Sequence, residues 1–129
     1  MIYSTAIVPV NPENETPLTR AQAWAGLVLK ARDARLFLPP GLCTRCEVVE
    51  EGEDHIVREA TIGGKALREL IAFEDQAKVS FFQAGGPREG VIVNELFEDA
   101  DGTLQLRFYC YLGCAARRRA AWKRGRNRR

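Results

Sequence analysis

A chain of 129 residues, 46% of them hydrophobic, has the length of one domain and enough apolar material for one sizeable core. Its formal charge of +2 is unevenly spread: residues 115–129, AARRRAAWKRGRNRR, hold eight of the 19 basic residues and none of the 17 acidic ones, so the preceding body is acidic. No apolar run approaches the ~20 residues of a membrane span, and the N-terminus lacks a charged-then-apolar leader, which points to a cytosolic protein without a membrane span.

Residues 2–10, IYSTAIVPV, read as an opening strand, with Pro9 placing it near a sheet edge. NPENETPL, 11–18, is turn and loop. Thr19 with Gln22 forms a capping box, and Ala21, Trp24, Ala25, Val28 and Ala31 then recur at helical spacing to about Arg32. Asp33 can cap a second short helix through Leu38, which Pro39-Pro40 ends.

From Leu42 the pattern is strands. TRCEVVEE, 44–51, precedes a long hairpin over 54–73, in which two alternating runs flank Gly63-Gly64. With a two-residue turn there, Arg58 faces Glu69, Ala60 faces Leu67 and Ile56 faces Ile71 on one side. Glu59 then faces Arg68 on the other, and a one-residue slip would scramble both charge pairs. KVSFFQ, 78–83, is the next strand and AGGPREG, 84–90, a loop expected at a cavity mouth. VIVNELFE, 91–98, and TLQLRFYCYL, 103–112, make a second hairpin. In its last strand Leu104, Leu106, Phe108, Cys110 and Leu112 form an apolar column. In its first, Val91, Val93 and Phe97 share a column with Glu95. One strand, two helices and six strands predict an α+β domain, an antiparallel sheet covered on one side by helices.

Cys43-x-x-Cys46 and Cys110-x-x-x-Cys114 raise a four-cysteine zinc site. Against it, Cys46 and Cys110 sit in alternating strand columns, where single cysteines act as small buried hydrophobes, so neither metal nor cofactor is expected. His55, the sole histidine, falls on the strand face away from Arg58 and reads as exposed. Trp24 reads as core packing. Arg58, Glu69 and Glu95 are charges placed in apolar columns. They are either polar anchors for a ligand in an apolar pocket, or a structural Arg58–Glu69 pair with Glu95 near the rim.

Three runs, LTRAQAWAGLVLKARDARLFLP (18–39), CEVVEEGEDHIVREATIGG (46–64) and NELFEDADGTLQLRFYCYL (94–112), in this order of elements, resemble the START-related helix-grip superfamily. The likeness covers residues 1–113, and within the superfamily it is to a bacterial and fungal branch similar to the birch-pollen-allergen type. The resemblance implies a curved seven-stranded antiparallel sheet gripping a long C-terminal helix, with a cavity for lipids, polyketides or other apolar ligands. It also implies that some relatives act as cyclases or aromatases. The departure lies after Gly113, where an arginine-rich tail replaces the long helix, a break that an alternative or frameshifted C-terminus produces.

On this reading residues 1–114 form a ligand-binding domain and 115–129 a basic tail that is disordered or a short helix. The expected partner is a small hydrophobic or aromatic molecule. Phe73, Phe81, Phe97, Leu106 and Phe108 are expected in the walls, and Arg58, Glu69 and Glu95 as polar anchors. No catalytic residue is assigned. Nucleic acid is not expected, because the acidic body repels polyanions. The alternatives are a cyclase-, aromatase- or hydrolase-like enzyme on the same scaffold, and an interaction protein, including a homodimer, using an uncovered apolar face and the tail.

Overall fold

The computed structural model describes residues 2–84 and 88–114. In chain order they form β1 (Ile2–Pro9), α1 (Arg20–Arg32), a 3-10 turn (Ala34–Leu36), β2 (Cys43–Glu51), β3 (His55–Ile62), β4 (Lys65–Glu74), β5 (Lys78–Ala84), β6 (Arg88–Glu98) and β7 (Leu104–Cys114). The tail expected over 115–129, and the middle of the loop expected over 84–90, lie outside the described residues.

Gly63 and Gly64 take φ of 58° and 78°, the left-handed pair a two-residue primed turn needs, and so pin the β3–β4 register. Arg58 stands opposite Glu69, Ile56 opposite Ile71 and Glu59 opposite Arg68, as the alternating pattern requires. The remaining strands continue as an antiparallel meander, and β1 closes the far edge, giving the order β1-β7-β6-β5-β4-β3-β2. β1 and β2 are therefore opposite edges of one seven-stranded sheet. The chain between them has to cross a sheet face, and α1 with the 3-10 turn is that crossing.

Local chemistry fixes the crossing. Asn11 and Leu18 bind reciprocally, Leu18 N donating to Asn11 Oδ1 at 2.7 Å and Asn11 Nδ2 to Leu18 O at 3.0 Å, which closes the 11–18 loop. Thr19 and Gln22 complete the capping box. Arg20 then anchors the start of α1 to the sheet, donating to Gln76 O at 2.8 Å and Leu96 O at 3.1 Å. The second helix expected through Leu38 contracts to one 3-10 turn, with Asp33 accepting from Arg35 N at 3.0 Å. The few residues between that cap and Pro39 leave no room for further α turns, since a residue before proline avoids the α region.

Leu27 and Ala31 of α1 pack on Ile56, Ile71, Val79, Phe81 and Leu96, while Trp24 meets Phe73 edge-on at 6.4 Å between centroids. Cys43, Cys46, Ala34 and Ala60 form a second, smaller cluster under the 3-10 turn. The sheet thus has a helix face and an outer face. β6 corrects the expected alternation: Ile92, Asn94 and Leu96 belong to the helix face, and Val91, Val93, Glu95 and Phe97 to the outer one. Both columns of this strand are apolar, so counting apolar residues does not decide between them. The charges decide instead, because Glu95 meets Arg107 at 2.9 Å across β7, in the column opposite to Phe108. β6 also begins earlier than expected. Gly90 lies within it at φ 147°, where a Cβ would fall 1.9 Å from Tyr111 O, so only glycine allows this approach to β7.

Candidate functional site

β3 and β4 bring Arg58 and Glu69 together on the helix face. Arg58 Nη2 donates to Glu69 Oε1 at 2.5 Å, and the two residues are only 5% and 3% exposed. Arg58 Nη1 donates to Ala31 O at 2.9 Å, in the last turn of α1, where carbonyls lack helical partners and a cation is favoured. One guanidinium thus joins the helix end to the sheet. Its Nε is buried with no hydrogen-bond partner among the described residues. Gln83 of β5 adds a long contact to Glu69 Oε2 at 3.4 Å.

This pair lies in the lining of a hollow of about 350 Å³ between the sheet and the α1–3-10 segment. Phe37, Leu38, Ile62, Leu67, Phe81, Ile92 and Phe108 supply most of the remaining wall. A neighbouring hollow of about 330 Å³ shares Lys30, Phe37 and Phe108 with it and adds Val8, Leu18, Leu27, Leu96 and Leu106. The two volumes adjoin along the underside of α1, each in the size range of small-molecule sites.

Of the residues expected at the site, Arg58, Glu69, Phe81 and Phe108 line the first hollow, and Leu106 lines the second. Phe73 is on the helix face but packs into the core against Trp24. Glu95 and Phe97 are corrected: both are on the outer face, where the Arg107 guanidinium pairs with Glu95 and stacks 4.4 Å above the Phe97 ring. They cannot wall a cavity on the other side of the sheet.

Three polar residues of the hollow escaped the sequence reading: Gln83, placed against Glu69 above, Asn94 and Lys30. Asn94, 2% exposed, occupies the β6 position opposite Phe108. Lys30 projects from the last turn of α1, with Nζ 5.7 Å from the Phe108 centroid. Burial, with a smaller contribution from the Arg58 charge, holds its pKa below 10.5. A signal did exist: Lys30 follows the buried Leu27 by three residues and precedes Ala31, so it borders the apolar stripe of the helix.

The cysteines separate. Cys43 and Cys46 are buried free thiols on β2, whereas Cys110 is on β7, five strand positions away. At about 4.8 Å per strand that is roughly 24 Å along the sheet, too far for a shared tetrahedral zinc site. The side chain of Cys114 is not described. His55 lies on the outer face, with Nε2 3.5 Å from Glu50 Oε2. No helix among the described residues is long and apolar enough to cross a membrane.

The fold of the described residues is thus α+β: an open seven-stranded antiparallel sheet, one α-helix across it, and an aromatic-walled hollow holding a buried ion pair. The family model described as AtaL, acetylaranotin biosynthesis cluster protein L, matches residues 5–117, and the chain belongs to that family. No curated protein matches it.

Proposed function

We propose that this protein binds a small hydrophobic or aromatic molecule between its sheet and α1, on a START-related helix-grip scaffold. One observation carries the reading: a buried, hydrogen-bonded ion pair opens onto a hollow walled by Phe37, Phe81 and Phe108. A core formed for stability alone would fill that space with side chains. The family is named for a biosynthesis cluster, which supports a ligand drawn from a biosynthetic pathway. Ligand binding is favoured over catalysis because Glu69 is already engaged by Arg58 and Gln83 rather than free to act as an acid or base. The test is a native mass spectrum of protein purified gently from its source, set against the denatured spectrum. A retained small molecule, giving its mass directly, is the expected result; protein without any bound molecule overturns the reading.

A second reading, self-association, rests on the outer face. Leu70, Phe82, Val91, Tyr111 and Tyr3 are successive register partners across β4, β5, β6, β7 and β1, and four of them are exposed large side chains. A row of that length is unusual on a solvated sheet face. Sedimentation velocity separates the readings: a dimer abolished by Phe82→Ser, with no bound small molecule, favours this one.

A further inference from the structure

We propose that the hollow selects an acidic ligand, an oxyanion carried on an aromatic body, and that Lys30 is the residue that binds its charge. This rests on the ligand-binding reading above and specifies the chemistry of that site.

The charges lining the hollow do not balance. Lys30 and Arg58 are cationic, and Glu69 is the anion among its lining residues. Glu69 is taken by Arg58, so one positive charge is left over. The Lys30 ammonium has no ion pair or hydrogen bond among the described residues and instead sits over the Phe108 ring. A lysine serving only the helix dipole would reach outward to water, where the interaction is favourable and desolvation is avoided. Lys30 is instead half-buried between two apolar hollows beside a second cation, and its lowered pKa reports that cost.

One further group points the same way. Arg58 Nε is a buried donor with no hydrogen-bond partner among the described residues. An unsatisfied buried donor is costly in a completed core, and an incoming oxygen acceptor satisfies it. The aromatic part of the ligand follows from the same contacts. Phe108 lies under Lys30 and Phe81 under Arg58, the latter with Cζ 5.6 Å from the centroid, so a flat body enters between rings already flanked by cations.

Two fluorescent probes sharing the N-phenylnaphthylamine skeleton test the idea: anilinonaphthalene sulfonate, which is anionic, and N-phenyl-1-naphthylamine, which is neutral. Titrating parent protein, Lys30→Met and Lys30→Arg with both, we expect Lys30→Met to weaken the sulfonate about tenfold and the neutral probe less than about twofold. Lys30→Arg should restore most of the sulfonate affinity. If both probes bind the parent and Lys30→Met affects neither, or both alike, acid selection is overturned while an apolar site survives. If neither probe binds folded parent protein, both the selection and the binding site it rests on are overturned.

Discussion

Arg58 and Glu69 form an ion pair at 2.5 Å with side chains 6% and 4% exposed, and the same guanidinium holds the carbonyl of Ala31 at the end of α1. The pair is therefore a tie between helix and sheet as well as part of the hollow's lining. Arg58→Ala leaves a buried carboxylate and an uncapped helix end, and is expected to cost about 3–5 kcal/mol in urea unfolding. Arg58→Met with Glu69→Leu removes both charges and keeps the volume, and should recover most of that loss. A double variant as unstable as the single one would mean that the uncompensated carboxylate is not the source of the loss.

Lys30 gives a prediction of opposite sign. Its folded pKa lies below 10.5, so the unfolded chain holds the proton more tightly, and stability rises with pH through the window between the folded value and 10.5. Below that window the charged lysine costs stability in full. Lys30→Met should therefore melt higher than the parent at neutral pH, by less than about 1 kcal/mol given solvent screening of a half-exposed group. The gain should vanish as pH rises past the ordinary lysine value. Differential scanning calorimetry across that range checks it, and a variant that melts lower at pH 7 refutes it.

The two faces of the sheet make Glu95 and Glu69 distinguishable. Glu95→Gln loses a half-exposed pair with Arg107 and should cost at most about 1 kcal/mol. Titration with N-phenyl-1-naphthylamine should give an unchanged affinity, because the side chain lies on the other side of the sheet from the hollow. Glu69→Gln, inside it, should shift that affinity. Equal effects from both variants would place the probe somewhere other than beneath α1.

Much of the fold could be read from residues with only one reasonable reading. Gly63-Gly64 set the β3–β4 register, Thr19 and Gln22 the start of α1, and the Leu104–Leu112 alternation the helix face of β7. β6 was ambiguous because both of its columns are apolar, one packed in the core and the other part of the outer row with Phe82 and Tyr111, so periodicity carries little information there. The site divides in the same way. Arg58 and Glu69 were visible as charges in an apolar column of a hairpin with fixed register. Asn94 was hidden by the wrong face for β6, and Lys30 by being one basic residue in a helix whose orientation on the sheet depends on contacts distant in sequence.

Since that register rests on two backbone conformations, it can be tested at one of them. Gly64 has φ 78° and open space around the position of a Cβ, so Gly64→Ala introduces no clash and its cost is conformational alone. Placing alanine in the left-handed region should destabilise by about 1–2 kcal/mol. Gly64→Asn should cost less, because asparagine tolerates that region and is common in primed turns. Both variants keep the alternation on either side, so hydrogen exchange at β3 and β4 amides should accelerate while the protected set stays the same. If alanine costs nothing, or if a different set of amides becomes protected, the turn is not what holds Arg58 opposite Glu69, and the charge pairs themselves must set the register.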